Sequence, residues 1–370
     1  MGILDVFKRS PEKATKTIKR TYAGVDNGRL FADFVASERS ADSELRSALK
    51  ELRNRSRDLS MNNEYARRYF ELLKVNVIGE NGVFHQSKAV DSIGQLDQTG
   101  NQAAENAFKM WGRYGFPTVC GKLSWIDVQK LAMELLAKDG EAFIVKHRAP
   151  EFRDSFALEF IEADQIDETY NKRLANGNEI RMGVEVNKFR RPIAYHVLTN
   201  HPGDYDFSSQ TREKKYKRIE ADRVIHLFKQ LRTGQTRGEP WLAPAIPAIK
   251  QLGAFREAAV VNARVGASKM GFFKVDGGDG FVADDYEDKS PIIQADPGSF
   301  HTLPAGVDFT AFEPAFPSNE FDTFHKSILR GIASGLGVSY TSLSNDLEAT
   351  SYSSIRQGAL EEREFYKNMT

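Results

Sequence analysis

The sequence predicts an α+β protein in which helices come first, short strands follow, and long helices return towards the end. Up to about residue 140 the apolar residues recur at helical spacing. Between residues 142 and 198 apolar and polar residues alternate, as they do in half-buried strands. Helical periodicity resumes near residue 246. Segregated runs of helices and strands are typical of α+β folds.

Four helices are predicted ahead of the strands. The first covers residues 41–57. The second has Ser60 as N-cap and carries Tyr65, Tyr69, Leu72 and Leu73 on one side. The third covers residues 103–111, and the fourth begins with a capping box at Ser124 and Asp127. Asp139-Gly140 is expected to end the last of these. The strands are predicted at 142–147, 157–161, 180–186 and 193–198, with turns at Asn176-Gly177 and Arg191-Pro192.

Two basic segments leave alternatives open. The N-terminal arm, residues 1–21, is rich in Lys and Arg, and residues 212–218 surround Tyr216 with basic side chains. Either segment could contact phosphates, or could be a solvated terminus and a solvated strand edge.

The second half of the chain predicts long helices. Pro240-Trp-Leu-Ala-Pro244 leads into a helix over 246–267, about 30 Å long. A later helix starts at Ser318 and carries an apolar stripe of Phe321, Phe324, Ile328 and Ile332. Asp322, Lys326 and Arg330 form a charged stripe on another side, in which Asp322 is spaced to pair with Lys326. This stripe is compatible with an ordinary surface or with the wall of a pore.

The composition excludes several classes of protein. Lys+Arg and Asp+Glu both total 51 in 370 residues, which argues against tight static binding of nucleic acid. The longest uncharged stretch, residues 331–345, has 15 residues and is too short and polar to span a bilayer. No signal peptide is visible. A single cysteine, Cys120, excludes an intrachain disulfide framework and a cysteine-based zinc cluster. These observations predict a cytosolic protein.

Motifs for catalysis, cofactors and metals are not found in the sequence. Residues 115–122 have one residue too many for a phosphate-binding loop, and Leu123 stands where Ser or Thr should be. His196 and His201 are expected to be a surface pair. The acidic segment 276–288 could bind calcium or be a solvated loop, since it lacks the calcium-loop pattern with a terminal Glu. We therefore predict no catalytic residue, no cofactor and no metal.

Five groups of short motifs, in order along residues 22–358, resemble those of bacteriophage portal proteins of the lambda type. They are Leu52-Arg-Asn-Arg-Ser-Arg-Asp-Leu59 with Asn62-Asn-Glu-Tyr-Ala66 and Val75-Asn-Val-Ile-Gly79; Gly183-Val-Glu185 with Arg191-Pro-Ile-Ala-Tyr195; Ala221-Asp-Arg-Val-Ile-His226 with Gly234-Gln-Thr-Arg-Gly-Glu-Pro-Trp-Leu-Ala243; Arg330-Gly-Ile-Ala; and Gly337-Val-Ser-Tyr with Tyr352-Ser-Ser-Ile-Arg356.

The resemblance implies an organisation into named parts. They are a flexible basic arm (1–21), an α+β wing (22–238), a first stem helix (239–269), a small clip containing β-structure (270–316), a second stem helix (317–336), a tunnel loop (337–352) and the start of a C-terminal wing helix (353–370). By the same resemblance, the chain stops short of the family's C-terminal helical part.

The resemblance also implies a homo-oligomeric, dodecameric ring at one capsid vertex, present in the host cytoplasm during assembly. Double-stranded DNA would pass through it without sequence preference. The terminase large subunit, capsid proteins and head-tail connector proteins would dock on it. The site residues expected to face the DNA channel are Thr341, Ser342, Ser344, Asn345, Asp346, Lys326 and Arg330. Those expected to dock terminase are Asp284, Asp285, Glu287 and Asp288.

Two other functions remain compatible with parts of the sequence. A virion scaffold or interaction protein could form rings without conducting DNA. A nucleic-acid-processing enzyme would need clustered carboxylates or a nucleotide-binding motif, and the sequence shows neither. The conduit is the function that the resemblance implies.

Overall fold

The structure is a computed structural model that describes residues 38–204, 214–267, 271–275, 307–311, 320–348 and 351–369. The N-terminal arm 1–21 and the acidic residues 284, 285, 287 and 288 lie outside the described residues, as does part of the basic segment 212–218. The part of the chain described below belongs to one unit, Ala41–Thr370.

The first two helices, α1 (Ala41–Asn62) and α2 (Glu64–Leu73), are separated by a single residue. Asn63 has an extended backbone, and its side chain accepts hydrogen bonds from the backbone N–H groups of Tyr65 and Ala66. The prediction that Ser60 caps this helix is wrong, because α1 continues past Ser60 and Asn63 supplies the cap. Helix α2 runs on into a π-helical turn, Lys74–Ile78.

Helices α3 (Gln98–Trp111) and α4 (Trp125–Lys138) follow. The capping box at Ser124 and Asp127 is confirmed, with each side chain bonded to the other residue's backbone. Helix α4 ends at Asp139, as predicted, and Gly140 takes a left-handed φ of +88°. A Cβ atom at Gly140 would lie 2.2 Å from the carbonyl carbon of Glu239. Only glycine therefore allows the two backbones to approach this closely.

Eight strands form two antiparallel sheets in the middle of the chain. They are β1 (Glu141–His147), β2 (Ala157–Ile161), β3 (Lys172–Arg173), β4 (Glu179–Arg181), β5 (Val184–Val186), β6 (Pro192–Leu198), β7 (Tyr216–Glu220) and β8 (Val224–Phe228). The three-stranded sheet has the order β2-β1-β8, and the five-stranded sheet has the order β3-β4-β5-β6-β7. The strand predicted at 180–186 is two strands, because Met182 and Gly183 both have positive φ and turn the chain.

Successive side chains of β1 point to opposite faces of the three-stranded sheet, and both faces are covered by other parts of the protein. Phe143 and Val145 point towards the five-stranded sheet, where they pack with Val184 and Tyr195. Ile144 lies on the opposite face and packs with Trp111 of α3 and Val128 of α4, among other residues. The five-stranded sheet and the pair α3 and α4 therefore lie on opposite sides of the three-stranded sheet.

A histidine expected at the surface is buried instead. His196 lies in β6 with 8% of its surface exposed, and its Nε2 is 3.4 Å from Oε2 of Glu185. His201 lies beyond the strand, with Nε2 3.0 Å from Oε2 of Glu162. The predicted surface pair is therefore wrong, because each imidazole faces a different carboxylate.

A buried network of charges joins α1, the three-stranded sheet and the segment leading to the next helix. Glu141 accepts hydrogen bonds from Arg53 and Arg237, and its Oε2 lies 3.0 Å from Nε2 of His226. Burial alone would raise the pKa of Glu141, but the attraction of Arg237 and the contact with His226 hold that pKa well below its usual range. The carboxylate is therefore ionised and paired inside the protein.

The C-terminal half contains the long helices. Helix α5 (Ile246–Ala267) matches the prediction, and α6 (Glu320–Leu336) follows. Between them, β9 (Gly271–Val275) pairs antiparallel with β10 (Val307–Ala311), so the chain runs out along α5 and returns along α6. Phe255 of α5 packs on Phe321 and Phe324 of α6, with ring centroids 5.3 and 4.9 Å apart.

The predicted apolar stripe of α6 is only partly buried. Ile332 is 2% exposed, whereas Phe324 is 50% exposed. Buried Leu329, Ala333 and Leu336 complete the packed side of α6. They join a core to which α2, α4 and α5 also contribute. Among the described residues, no helix has the length and apolarity needed to cross a membrane.

Candidate functional site

The segment after α6 is a short connection to the last helix, held by many hydrogen bonds. It contains most of the polar residues that the sequence predicts to face the channel. Gly337 ends α6 with a φ of +73°, and the N–H of Val338 returns to the carbonyl of Ala333 at 3.1 Å. A five-residue helix, α7 (Tyr340–Ser344), follows, with Ser339 as N-cap and Asn345 in the left-handed conformation at its end. The last helix is α8 (Tyr352–Lys367). We call residues 337–348 the inter-helix loop.

Lys326 of α6 faces three carboxylates. Its Nζ lies 2.8 Å from Asp322, 3.4 Å from Glu348 and 3.7 Å from Asp346. The pairing of Asp322 with Lys326 is confirmed. The hydrogen bond to Asp322, with those carboxylates around it, raises the pKa of Lys326 above its usual value. The three carboxylates outnumber the single positive charge of Lys326, so the local charge around it is net negative.

Asp346 and Arg330 fix the position of Tyr340 from two sides. The Tyr340 hydroxyl donates to Oδ2 of Asp346 at 2.8 Å, and the Arg330 guanidinium lies 5.2 Å from the centre of the Tyr340 ring. The backbone N–H of Glu348 donates to Asp346, and this bond, together with that from Tyr340, lowers the pKa of the Asp346 carboxyl. Arg330 thus contacts the ring of Tyr340, and Asp346 contacts its hydroxyl group.

The hydroxyl groups of the loop are engaged within the protein. Ser339 and Ser342 both donate to Oε2 of Glu362 in α8, at 3.0 and 2.8 Å. Ser344 donates to the carbonyl oxygen of Tyr340 at 2.7 Å. The Thr341 hydroxyl lies 3.2 Å from that of Ser339. These bonds order the loop, and the side chain of Leu343 anchors it in the core at 2% exposure.

The structure brings together most of the site residues predicted for the channel. Lys326, Asp346 and Arg330 meet around Tyr340 and Glu348, while Asn345 is exposed at the end of α7. The sequence reasoning missed Tyr340, Glu348 and Glu362. Tyr340 and Glu348 lie within or next to the predicted loop, so their polar character was visible, but nothing local indicated that Glu362 would reach Ser342.

One cluster of possible metal ligands occurs among the described residues, at Glu162, Asp164 and His201. Both oxygens of Asp164 are already engaged, one by Arg53 and one by Arg57. Two guanidinium cations beside the cluster disfavour a bound metal ion. These residues therefore fit an ion-pair network better than a metal centre.

Comparison with known proteins identifies relatives of this chain. The family model of phage portal proteins of the lambda family matches residues 27–369. The "Probable portal protein" of Halomonas phage phiHAP-1 is 35% identical over 99% of this chain and 72% of its own length. The portal protein of Escherichia phage N15 is 25% identical over 94% of this chain and 71% of its own.

A solved structure shares the fold. A chain in the virion of a native gene transfer agent particle superposes with a TM-score of 0.51 at 13% sequence identity, covering 84% of this chain and 74% of that one. The match of the family model along nearly the whole chain shows that this chain belongs to the lambda family of phage portal proteins.

Proposed function

We propose that the chain is the subunit of a ring-shaped portal at one capsid vertex, through which double-stranded DNA enters during packaging and leaves during ejection. The observation that carries this proposal is the match of the lambda-family portal model to residues 27–369. The likeness of the fold to a chain of a virion particle supports it, and the carboxylates Asp322, Asp346 and Glu348 around Lys326 suit a surface that binds DNA weakly.

In this proposal α5 and α6 are the stem helices, β9 and β10 belong to the clip, and residues 337–352 are the tunnel loop that approaches DNA. Passage requires contacts that are weak and easily exchanged. Each unpaired cation facing the duplex would displace counterions and add affinity. A lysine that is shared among carboxylates adds little affinity for the duplex. Asn345 is neutral, so it can contact DNA without adding charge. Arg330, held beside Tyr340, is the remaining cation of the stripe.

The finer parts of the proposal follow the family resemblance. Twelve subunits would form the ring by a head-to-tail interface whose rotation closes. The acidic residues of the clip, Asp284, Asp285, Glu287 and Asp288, would dock the terminase large subunit, which brings its own ATPase. Capsid and head-tail connector proteins would bind elsewhere on the ring. The role would be structural and not catalytic, and assembly would take place in the host cytoplasm.

Two measurements test the proposal. Negative-stain microscopy of the purified protein should show rings with a central hole. Capsids made without the gene should fail to take up DNA, and the gene supplied in trans should restore uptake. Rings located away from the DNA vertex, or capsids that fill without the gene, would favour a virion scaffold that does not conduct DNA.

A further inference from the structure

An apolar groove lies on the α3 side of the three-stranded sheet. Its volume is about 490 Å³, and its lining includes Phe108, Trp111, Trp125, Phe156, Leu158 and Ile225. The indole N–H groups of Trp111 and Trp125 donate to the carbonyls of Phe156 and Val83, so these rings present apolar surface to the groove. Asp154 is the charged side chain among the lining residues; it is 62% exposed, and its Oδ2 lies 3.7 Å from Nε of Arg153 in the same subunit.

An exposed aromatic side chain lies at a turn of the five-stranded sheet. Phe189 is 77% exposed at the turn between β5 and β6. The turn is rigid, because the Asn187 side chain accepts hydrogen bonds from the N–H groups of Phe189 and Arg191. The Nζ of Lys188 lies 5.0 Å from the centre of the Phe189 ring. Lys188 and Arg191, both exposed, place positive charge beside the aromatic ring.

The groove and the turn carrying Phe189 could form the two sides of a head-to-tail contact between subunits. The turn belongs to the five-stranded sheet, which packs on the face of the three-stranded sheet carrying Phe143 and Val145. The groove is built on the opposite face, which carries Leu158 and Ile225. A closed ring needs two different and complementary surfaces that lie apart on each subunit. The exposed aromatic ring matches the groove in being apolar, and the basic side chains beside the ring match the exposed carboxylate of Asp154 in charge.

We propose that Phe189 of one subunit inserts into this groove of the next subunit, with Lys188 and Arg191 near Asp154 of the neighbour. The occupant of the groove is thus a second copy of the chain. This inference rests on the proposed ring and names one of its contacts. Phe189 would be an anchor of the kind that dominates binding energy at interfaces.

Mass photometry of two matched variants tests the projection. Phe189→Asp should weaken subunit association by about 30-fold or more, as expected for loss of one buried aromatic anchor. Ile93→Asp is the control, because Ile93 is also 77% exposed in a turn but lies outside the proposed contact. It should assemble like the unmodified protein. Circular dichroism should show that both variants are folded. Rings formed normally by Phe189→Asp would overturn the inference.

Mixing tests that the two surfaces belong to different subunits. Ala104 lines the groove and is exposed, so Ala104→Arg should block it. Each of Phe189→Asp and Ala104→Arg retains one intact half of the contact. Their mixture should form heterodimers and no rings, while each alone stays monomeric. Oligomers larger than dimers in the mixture would contradict the inference.

Cross-linking separates this contact from the ring as a whole. With the exposed Cys120 changed to Ser, Lys188→Cys protein mixed with Asp154→Cys protein keeps Phe189 in place and should form an intersubunit disulfide upon oxidation. Rings of the unmodified protein without this cross-link would overturn the contact and leave the portal proposal standing. An unmodified protein that forms no rings at all would instead contradict the portal proposal.

Discussion

Nη2 of Arg237 lies 2.6 Å from Oε1 of Glu141, and both side chains are completely buried. The same carboxylate accepts a hydrogen bond from Arg53, which is also buried. Glu141→Gln should therefore lower the free energy of unfolding by about 3–5 kcal/mol, because buried Arg237 loses its anion and buried Arg53 keeps only Asp164. Glu159→Gln in β2 is the control, since Glu159 is 46% exposed and its loss should cost less than about 1 kcal/mol. Urea denaturation measures both, and equal effects would contradict the assignment.

The buried histidine makes stability depend on pH. Burial lowers the pKa of His226, and Glu141 only partly opposes this. The unfolded chain binds a proton near the ordinary histidine pKa of about 6.5, and the folded chain does so at lower pH. Stability should therefore be full above that value and decline as the pH falls below it. His226→Gln should reduce the slope of stability against pH between about 6.5 and 5. An unchanged slope would show that His226 is not the group responsible.

Gly140 should not tolerate a side chain. Gly140→Ala combines an unfavourable φ with a contact 2.2 Å from the backbone of Glu239, so we expect a loss of about 3 kcal/mol or more. Gly177→Ala is a matched control, because its φ of +82° is similar and nothing lies within 4 Å of the added Cβ. It should cost about 1–2 kcal/mol. Thermal unfolding of both variants measures the difference, and equal losses would show that the close approach is unimportant.

Removing the acidic neighbours of Lys326 should make the ring bind DNA more tightly. In a double variant with Asp346→Asn and Glu348→Gln, Lys326 loses two of its three carboxylate partners and stays paired with Asp322 alone. The logarithm of affinity should fall more steeply with the logarithm of salt concentration, by about 0.9 for each additional phosphate contact that the whole ring makes. Glu361→Gln combined with Glu364→Gln on α8 changes the net charge equally without touching Lys326. If both variants bind DNA alike, net charge and not Lys326 sets the affinity.

New cations in the loop should slow packaging without preventing ring formation. Ser344→Lys combined with Asn345→Lys places two positive charges in each inter-helix loop, where they would add phosphate contacts. Ser344→Gln combined with Asn345→Gln adds similar bulk without charge and serves as the control. The rate of DNA uptake by capsids is the measurement. Unchanged uptake by the Lys variant would reject the role of this loop in passage.

Features that depend on nearby residues were predictable from the sequence. The capping box at Ser124 and Asp127, the pair Asp322 and Lys326, and the bounds of α5 each follow from spacings within one element. The N-cap was misplaced at Ser60 because Asn63 follows so closely that both fit the pattern. Choosing between them requires knowing how far α1 continues.

Contacts between distant elements left no signal in the sequence. Glu141 and Arg237 are separated by 96 positions, and either alone looks like an ordinary surface charge. Tyr195 and Val197 of β6 face the partner sheet, so His196 lies on the opposite face, where the ring of Tyr170, 5.4 Å away, covers it. Alternation along β6 does not reveal that second cover. The hydroxyl of Ser342, which the sequence predicts to face the DNA channel, is bonded to Glu362 of α8, 20 positions away.

The anchoring of Arg237 has a mechanical consequence. Arg237 is nine positions ahead of the first residue of α5, and the turn between them is tied to α4 by the bond from the N–H of Trp241 to the carbonyl of Ala137, 2.9 Å long. Gly140 packs against the same turn. These contacts hold the segment between Arg237 and α5 in place. A force or torque applied along α5 would therefore be transmitted to the sheet and not absorbed by bending of this segment.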